Sequence, residues 1–412
     1  MKAIIVGGGI GGLTTALMLH ARGLACEIYE QAASIQELGV GINVLPHAIR
    51  ELAALGLLER LDAVAIRTYE LFYLNRQGQE VWHEPRGLDA GHDVPQFSIH
   101  RGRLQSVILD AVIERLGADK VHTGRRLASF TQDEGGVSAE FTDHAGNPVE
   151  TARGEILVGA DGIHSVVRRT LFPDEGGPVW NGLVLWRGAR DWPRFLTGRS
   201  MIIAGGLESK MVVYPIAEGS TPDTVFTNWA VIGKLGDGTS LPARENWSRP
   251  GHWDDLTPNT AGISIPHVDV HALMRATETF WEYPLSDRNP LPRWSHGRVT
   301  LLGDAAHPMY PVGSNGASQA ILDARALGDA LVRAEHPMQA LAAYDAERLP
   351  KTAEIVHSNR KGGPEGVIDA VEKLAPDGFT DIDEVLSHAE REAIVRGYAQ
   401  RAGFAADKGK AA

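Results

Sequence analysis

The feature that most constrains the fold is a glycine-rich turn near the start of the chain, in the stretch VGGGIGG. A short apolar run precedes the turn, a helical pattern follows it, and a second apolar run ends at Glu30. This order predicts a βαβ unit with parallel strands. Gly7, Gly9 and Gly12 have the GxGxxG spacing that brings a helix N-terminus close to a pyrophosphate, and Glu30 is placed to receive ribose hydroxyls. We interpret this opening as a dinucleotide site with an unphosphorylated ribose; the alternative is a glycine-rich turn in an unrelated α/β domain.

Composition narrows the class of protein. The chain has 412 residues, 43% of them hydrophobic, and a formal net charge of -12. These values are typical of a globular protein and disfavour nucleic acid or an anionic membrane as partner. The single cysteine, Cys26, excludes a disulfide framework and a thiolate metal cluster. The low cysteine content also suits a reducing cytoplasm, which is the expected location. No apolar run approaches the roughly 18 residues of a membrane span, so no span is expected.

The rest of the chain predicts a change of architecture. The stretches YELFYLN and EVWHEP flank the turn residues RQGQ as in a hairpin, and four more strands are predicted over 183–232 with little helix between them. RVTLLGDA contains a short apolar run like the one that precedes the glycine-rich turn, and a helix is predicted after it, over 319–335. We therefore expect an α/β part, a mostly antiparallel sheet, and C-terminal helices whose last residues, ADKGKAA, fray.

Two further motifs carry chemical information. ILVGADGIHSVVR places Asp161 after an apolar strand, with Ser165 and Arg168 on the next helix, and LLGDAAHPMYPVGSNGASQAILD places Asp304 before a glycine-rich helix start. Alone, Asp161 is more commonly a helix N-cap. Together with the opening glycines, these motifs resemble the three fingerprints of the FAD-dependent aromatic hydroxylases, which are single-component flavoprotein monooxygenases with the p-hydroxybenzoate hydroxylase fold. The resemblance spans about residues 2–360, and QFSIHRGRLQ and MYPVGSNGASQAILD are most similar to members that act on phenazines.

The resemblance implies a two-domain α/β (α+β) fold. It comprises a Rossmann-like, GxGxxG-containing FAD-binding domain, a mostly antiparallel β-sheet domain for the substrate, and C-terminal helices. The implied boundaries are 1–70, 98–178 and 285–345 for the FAD-binding domain, 71–97 and 179–284 for the substrate domain, and 346–412 for the C-terminal helical segment and tail.

The resemblance also implies FAD contacts. A pyrophosphate carries two negative charges and needs a cation nearby. Arg101, in the pattern RxxL, would contact the phosphates, and Arg103 is the alternative candidate for this contact. Gln105 would lie beside the cofactor, and Asp304 would bind the ribityl hydroxyls. The helix start after Asp304 would direct backbone amides at the flavin edge that gains charge on reduction, and a side chain at Gly41 would collide with the ring. The remaining implied FAD residues are Gly7, Gly9, Gly12, Glu30, Asp161, Gly316, Ala317 and Ser318.

The substrate is expected over the flavin, against the antiparallel sheet. Aromatic side chains there can stack on a planar ring, although large residues that alternate along a strand are more commonly core. The predicted pocket residues are Trp186, Arg187, Tyr214, Trp229, Pro311 and Gly313. Arg187 would pair with a substrate carboxylate, or else be a surface or flavin-side charge. No side chain stands out as a base; the catalytic group is expected to be the flavin itself, and Tyr214 is the one side chain considered for a catalytic role.

An acid and an imidazole in one loop also suggest other chemistry. Asp304 and His307 could ligate a metal, but the next candidates, His296 and Asp323, fall beyond a strand and inside a helix. We therefore expect no metal and interpret His307 as a hydrogen-bonded structural residue. Nucleophilic catalysis would require an elbow such as GxSxG, which the sequence lacks.

The resemblance implies an enzyme that uses NADH or NADPH, bound transiently, and O2 to hydroxylate an aromatic or N-heteroaromatic substrate through a flavin C4a-hydroperoxide. Loss of a ring carboxylate in the same reaction stays open. The alternatives are a flavin-dependent oxidase, dehydrogenase or other tailoring oxidoreductase on the same fold, and a flavin-binding protein without turnover. A halogenase is disfavoured because a WxWxIP signature is missing. The expected partners are the small aromatic substrate and O2, with no nucleic acid or membrane, in a monomer or homodimer.

Overall fold

The computed structural model describes residues 1–37, 40–238 and 249–406. The ADKGKAA tail lies outside these ranges except for Ala406. Residues 239–248 also lie outside them; they belong to the stretch 234–260, whose many Gly, Pro, Asp and Trp residues predict a loop. The strands, in chain order, are β1 (Lys2–Val6), β2 (Ala25–Tyr29), β3 (Gly41–Val44), β4 (Ile66–Arg67), β5 (Glu70–Leu74), β6 (Glu80–Pro85), β7 (Phe97–His100), β8 (Val121–His122), β9 (Arg126–Asp133), β10 (Gly136–Thr142), β11 (Pro148–Gly154), β12 (Ile156–Gly159), β13 (Val179–Pro193), β14 (Ser200–Ala204), β15 (Ser209–Glu218), β16 (Thr224–Lys234), β17 (Trp281–Asp287) and β18 (Val299–Leu301).

The α-helices are α1 (Ile10–His20), α2 (Pro46–Ala54), α3 (Leu58–Asp62), α4 (Arg101–Leu116), α5 (Val166–Leu171), α6 (Trp253–Leu256), α7 (Val270–Ala276), α8 (Gly316–Arg333), α9 (Pro337–Asn359), α10 (Gly366–Leu374), α11 (Ile382–Val385) and α12 (His388–Ala402). Short 3₁₀ turns include Gly303–Ala305, Val312–Ser314 and Gly363–Glu365. None of the helices in the described ranges combines the length and the apolar character that crossing a bilayer requires.

A parallel sheet brings the sequence motifs together. Within the described residues its strand order is β18-β12-β1-β2-β8, and every neighbouring pair is parallel. β12 and β18 are buried throughout, as is typical of strands covered on both faces. Because parallel strands end at one edge of their sheet, the turns that follow β1, β12 and β18 all lie at that edge. The three motifs, far apart in sequence, therefore meet.

A second, larger sheet stands opposite this edge. In the described part of the chain it has seven strands in the order β17-β13-β16-β15-β14-β5-β6, antiparallel apart from the β14–β5 pair. Its strands come from the two segments predicted for the substrate domain, with β17 ending at Asp287. The domain boundaries themselves stay a prediction. One face of this sheet packs on an apolar cluster that includes α7, and the other face looks toward the motif loops.

Candidate cofactor and substrate cavity

The motif loops and the seven-stranded sheet enclose a cavity of about 320 Å³. The amino ends of two helices border it, because α1 begins beside Gly9 and α8 begins at Gly316. The loops contribute Gly9, Gly11, Ala160, Gly162, Asp304, Pro311, Gly316 and Ala317, and the sheet contributes Leu185, Arg187, Lys210, Tyr214, Asn228 and Tyr283.

Four glycines of the motif loops divide into two groups according to what a side chain at each position would meet. A Cβ at Gly7, where φ is +110°, would lie 2.3 Å from the Ala160 carbonyl oxygen, and one at Gly12 would lie 2.0 Å from the Gly7 carbonyl oxygen. Cβ atoms at Gly9 and Gly316 would meet no protein atom within 4 Å. Backbone packing therefore explains the first two glycines, whereas the second two leave a cradle that side chains would fill. This cradle, at two helix N-termini, fits the phosphates and the ring edge of a flavin dinucleotide.

Glu30 and Gln105 brace the glycine turn from two sides. The Glu30 carboxylate accepts from the backbone N–H groups of Gly8 (2.7 Å) and Ala32 (2.8 Å). The Gln105 amide donates to the Gly8 carbonyl oxygen at 2.8 Å. Neither side chain borders the cavity, so the contacts of both residues with FAD stay predictions.

Asp161 and Ser165 share the cap of α5. The Asp161 carboxylate accepts from the Ser165 hydroxyl (2.5 Å) and the Val166 N–H (2.7 Å), and Ser165 Oγ accepts from the Arg168 N–H (2.9 Å). Burial raises the pKa of Asp161 above its usual value. The structure therefore agrees with the alternative interpretation of Asp161 as a capping residue of the helix that follows it. The neighbouring residues Ala160 and Gly162 border the cavity, and an FAD contact of Asp161 stays a prediction.

Arg168 has a role that sequence reasoning missed. Its guanidinium is buried and donates to the carbonyl oxygens of Ala305 (3.0 Å), Ala306 (2.7 Å) and Asn289 (3.1 Å), and it pairs with the Glu175 carboxylate. Arg168 thus joins the loop after β12 to the loop after β18. It fixes the position of the backbone that carries Asp304.

Asp304 presents its carboxylate to the cavity. Solvent reaches the side chain through the cavity, and among the described residues the structure shows no hydrogen-bond partner for it. The enclosure raises the pKa of Asp304, an effect that His307 and Arg101 partly oppose. An acceptor so placed is suited to hydroxyl donors of a ligand.

His307 is held elsewhere, as the sequence interpretation expects. Its Nε2 lies 2.5 Å from an oxygen of the buried Asp323 carboxylate, which also accepts from Arg348 Nε at 2.7 Å. Burial alone would raise the pKa of Asp323, but His307 and Arg348 outweigh it and lower that pKa to about 2. The network anchors the loop beneath Asp304.

The two candidate arginines at the start of α4 lie in different environments. Arg101 borders the cavity, whereas Arg103 is exposed and pairs with Glu37 at 3.0 Å. Burial lowers the pKa of Arg101, the nearby charge of Arg187 lowers it further, and Asp304 opposes the shift. The placement is consistent with the choice of Arg101; its contact with phosphate stays a prediction.

Gly41 and Ser318 are constrained by the protein itself. The Gly41 N–H donates to the Asn228 side chain at 2.9 Å, and a Cβ at Gly41 would lie 2.8 Å from Asn228 Cβ and from Ile216 Cγ2. Contact with the sheet, and not only with a flavin ring, therefore requires a glycine. The buried Ser318 hydroxyl accepts from the Leu45 N–H at 3.2 Å and does not border the cavity, whereas Gly316 and Ala317 do.

Three of the predicted pocket residues are placed elsewhere. Trp186 and Trp229 belong to the core cluster on the far face of the sheet, where their indole N–H groups donate to Glu282 (3.0 Å) and Thr277 (2.9 Å). Successive strand residues face opposite sides, so Trp186 cannot share the cavity face with Arg187. Gly313 does not border the cavity either, and a Cβ there would lie 2.5 Å from the Tyr398 ring, although Pro311 and Ser314 on either side do border it; its contact with a substrate stays a prediction.

The cavity face of the sheet carries residues that the sequence analysis did not select, namely Lys210, Asn228 and Tyr283. Lys210 could have been found, because it lies four residues before Tyr214 on the same strand and so on the same face. Tyr214 itself borders the cavity, and burial raises its pKa while Arg187 opposes the shift. At neutral pH the phenol is therefore a hydrogen-bond donor and not a base.

Comparison with known proteins agrees with this geometry. Residues 1–359 match the family described as FAD binding domain. A phenazine 1,6-dicarboxylic acid hydroxylase, PhzS, from Lysobacter antibioticus is 45% identical over 362 residues, which cover 87% of this chain and 88% of that protein. A 3-hydroxybenzoate 6-hydroxylase from Klebsiella oxytoca is 32% identical over 372 residues, or 88% of each chain. The structure of HpxO from Klebsiella pneumoniae, complexed with FAD and uric acid, has a TM-score of 0.74 at 24% identity and covers 98% of this chain and 96% of that one, which shows a shared fold.

Proposed function

Since the chain belongs to the FAD binding domain family and is an FAD-dependent aromatic hydroxylase reduced by NAD(P)H, we propose that its substrate is a planar N-heteroaromatic acid. The acid binds over the cavity face of the seven-stranded sheet. The two relatives named above are hydroxylases of aromatic acids, which favours this function over the oxidase, dehydrogenase and non-catalytic alternatives.

The charge of the cavity carries the proposal. Its described lining contains three cations and two carboxylates, in a chain whose net charge is -12. These are Arg101, Arg187 and Lys210, with Asp304 and Glu365. With Arg101 and Asp304 assigned to FAD, the two cations Arg187 and Lys210 remain against the single carboxylate of Glu365, and this local positive balance in an acidic protein favours an anionic substrate. Arg187, whose Cζ lies 5.0 Å from the centre of the Tyr283 ring, is the cation on the sheet that we assign to the substrate carboxylate.

Much of the remaining cavity face is apolar. Leu185, Val212, Ala230 and Ile232 border the cavity from three adjacent strands. Such a face removes water from both the apolar wall and an aromatic ring, and it holds the ring by dispersion without specific polar contacts. Orientation of the ring then depends on the few polar groups at the margin.

The residues that would hold FAD are the Gly9 and Gly316 helix starts, Arg101 and Asp304. When bound, FAD supplies the redox chemistry, which is hydride acceptance from NAD(P)H and activation of O2. The overall reaction balances as follows: a ring C–H becomes C–OH, the second oxygen atom leaves as water, and NAD(P)H and one proton are consumed. The chain's own residues orient the ring, exclude water, and neutralise the carboxylate.

The proposal is tested by pairing each aromatic acid with its carboxamide. The purified enzyme should hydroxylate the acid and not the amide. Arg187→Met should raise KM for the acid by about 10- to 150-fold, because a charge-assisted hydrogen bond is worth about 1.5–3 kcal/mol. Arg190→Met is the matched control. Arg190 lies on the same strand, but three residues away, so its side chain is on the opposite face of the sheet; the variant should leave KM unchanged. Equal use of the acid and the amide would contradict the proposal.

A further inference from the structure

A buried ion pair forms one margin of the cavity. Lys210 on β15 contacts Glu365, which precedes α10, and their side chains are only 1% and 5% exposed. The second Glu365 oxygen accepts from the Gly313 N–H at 3.1 Å. Both residues border the cavity, although they come from elements that are far apart in sequence.

A buried ion pair such as Lys210–Glu365 contributes little to the stability of a fold. Removing two charges from water costs more than their attraction commonly returns, and apolar residues of similar volume are often as stabilising. A function at the cavity is a better explanation, because the neighbouring residues Met201, Ile203 and Val212 show that an apolar wall is possible there.

The Lys210 ammonium has donors to spare. It carries three N–H groups, and among the described residues Glu365 is its only hydrogen-bond partner. The nearby Asp369 carboxylate accepts instead from the Leu207 N–H at 2.9 Å. Because Glu365 cancels the charge of Lys210, the remaining donors suit an uncharged acceptor better than a second carboxylate.

The position of Lys210 separates it from the cation assigned to the carboxylate. Lys210 is in register with Ile232 and Leu185, whereas Arg187 is in register with Ala230. The two residues are thus two strands and one cavity-facing row apart, which is roughly 12 Å between Cα atoms for standard strand spacings. A polycyclic ring can therefore meet Arg187 at its carboxylate and Lys210 at a distant atom.

We propose that Lys210, positioned and charge-balanced by Glu365, donates a hydrogen bond to a ring nitrogen of the substrate. The pair thereby selects N-heteroaromatic acids over carbocyclic acids of the same shape. This inference rests on the proposed function and specifies its substrate class. Glu365 acts through Lys210 and is a positioning residue.

The test compares two ligands that differ only in ring nitrogen, phenazine-1-carboxylate and anthracene-1-carboxylate. Binding to the holoenzyme is measured at equilibrium from the change in flavin absorbance, so turnover is not needed. Wild type should bind the phenazine at least about tenfold more tightly, as expected for a hydrogen bond from a charged donor. The double variant Lys210→Met/Glu365→Gln removes both charges together, because removing one would leave the other buried and uncompensated. Its preference should fall to nearly equal binding.

An exposed pair on the same sheet supplies the control. Lys234 and Glu208 lie 2.8 Å apart with side chains 49% and 70% exposed, and Lys234→Met/Glu208→Gln should keep the wild-type preference. Glu365→Gln alone leaves Lys210 charged and should shift binding toward phenazine-1,6-dicarboxylate. If the double variant folds, as judged by its melting temperature and FAD content, and keeps the preference, the inference is wrong. If neither acid binds to wild type, the proposed function fails instead.

Discussion

Removal of the Asp304 charge should move cofactor affinity and apoprotein stability in opposite directions. The carboxylate faces the cavity and the described residues offer it no hydrogen bond; because His307 and Arg101 only partly offset the effect of the enclosure that raises its pKa, its charged form carries a net cost in the folded apoprotein. A ligand hydroxyl that donates to this carboxylate removes that cost. Asp304→Asn keeps the size of the side chain and removes the charge.

The size of the effect on FAD follows from the hydrogen bonds that are lost. Hydrogen bonds to charged groups contribute about 1.5–3 kcal/mol, so the Kd for FAD should rise about 10- to 150-fold. Burial raises the pKa of Asp304 in the folded protein, which therefore holds the proton more tightly than the unfolded chain does. The charged carboxylate therefore lowers the stability of the apoprotein fully at pH values above the pKa of Asp304 in the folded protein. It has no such effect below the pKa of an aspartate in the unfolded chain, about 3.9. Asp304→Asn should thus stabilise the apoprotein at neutral pH and lose this advantage as the medium becomes more acidic.

The assay combines calorimetric melting of the apoprotein over a range of pH with FAD titration followed by fluorescence quenching. Asp143→Asn, in an exposed turn, is the control and should leave FAD affinity unchanged. An Asp304→Asn variant that binds FAD as tightly as wild type would refute the assignment. A variant apoprotein that melts earlier at neutral pH would refute the electrostatic argument.

Four other substitutions test the remaining parts of the site. Gly9→Ala should keep the melting temperature of the apoprotein and weaken FAD binding, whereas Gly12→Ala should destabilise the fold, because only the second Cβ meets the backbone; a Gly9→Ala variant with normal FAD affinity would contradict this. Arg168→Met should lower the free energy of unfolding by about 1–3 kcal/mol in urea titrations, since the buried carbonyl oxygens of Ala305 and Ala306 lose their donor, while Glu175 keeps Arg288 at 3.2 Å; a loss well below about 1 kcal/mol would be evidence against it. Tyr214→Phe should leave the shape of the pH–rate profile unchanged, because the raised pKa keeps the phenol protonated. If the variant instead loses the acidic or the basic limb of that profile, Tyr214 titrates during catalysis and this expectation is wrong.

Local patterns made the cofactor side of the cavity predictable. The glycine turn, the acid at Glu30 and the start of α8 each depend on a few adjacent residues, whose backbone needs can be read from their order. Parallel strand order then brings the loops of Asp161 and Asp304 to one edge. The comparisons confirm the family and the cofactor, while the individual contacts and the oligomeric state stay predictions.

The substrate side was less predictable because it depends on tertiary contacts. A strand that alternates bulky residues does not reveal which face meets the cavity, so Trp186 and Arg187 were both selected although they face opposite ways. Gly313 was assigned to the cavity because nothing local indicates that Tyr398, from the last helix, packs against it. Glu365 reaches the cavity from a segment without a recognisable motif, so no sequence signal identified it.

In the proposed reaction, this cavity serves the insertion of one oxygen atom from O2 into an aromatic acid. This proposal is tested most directly by supplying the purified yellow protein with NAD(P)H, isotopically labelled O2 and phenazine-1-carboxylate, followed by mass spectrometry of the product. We expect one labelled oxygen atom per product molecule and equal amounts of NAD(P)H consumed and product formed. Oxygen derived from water, or NAD(P)H oxidation that yields only hydrogen peroxide with every aromatic acid supplied, would contradict the proposal.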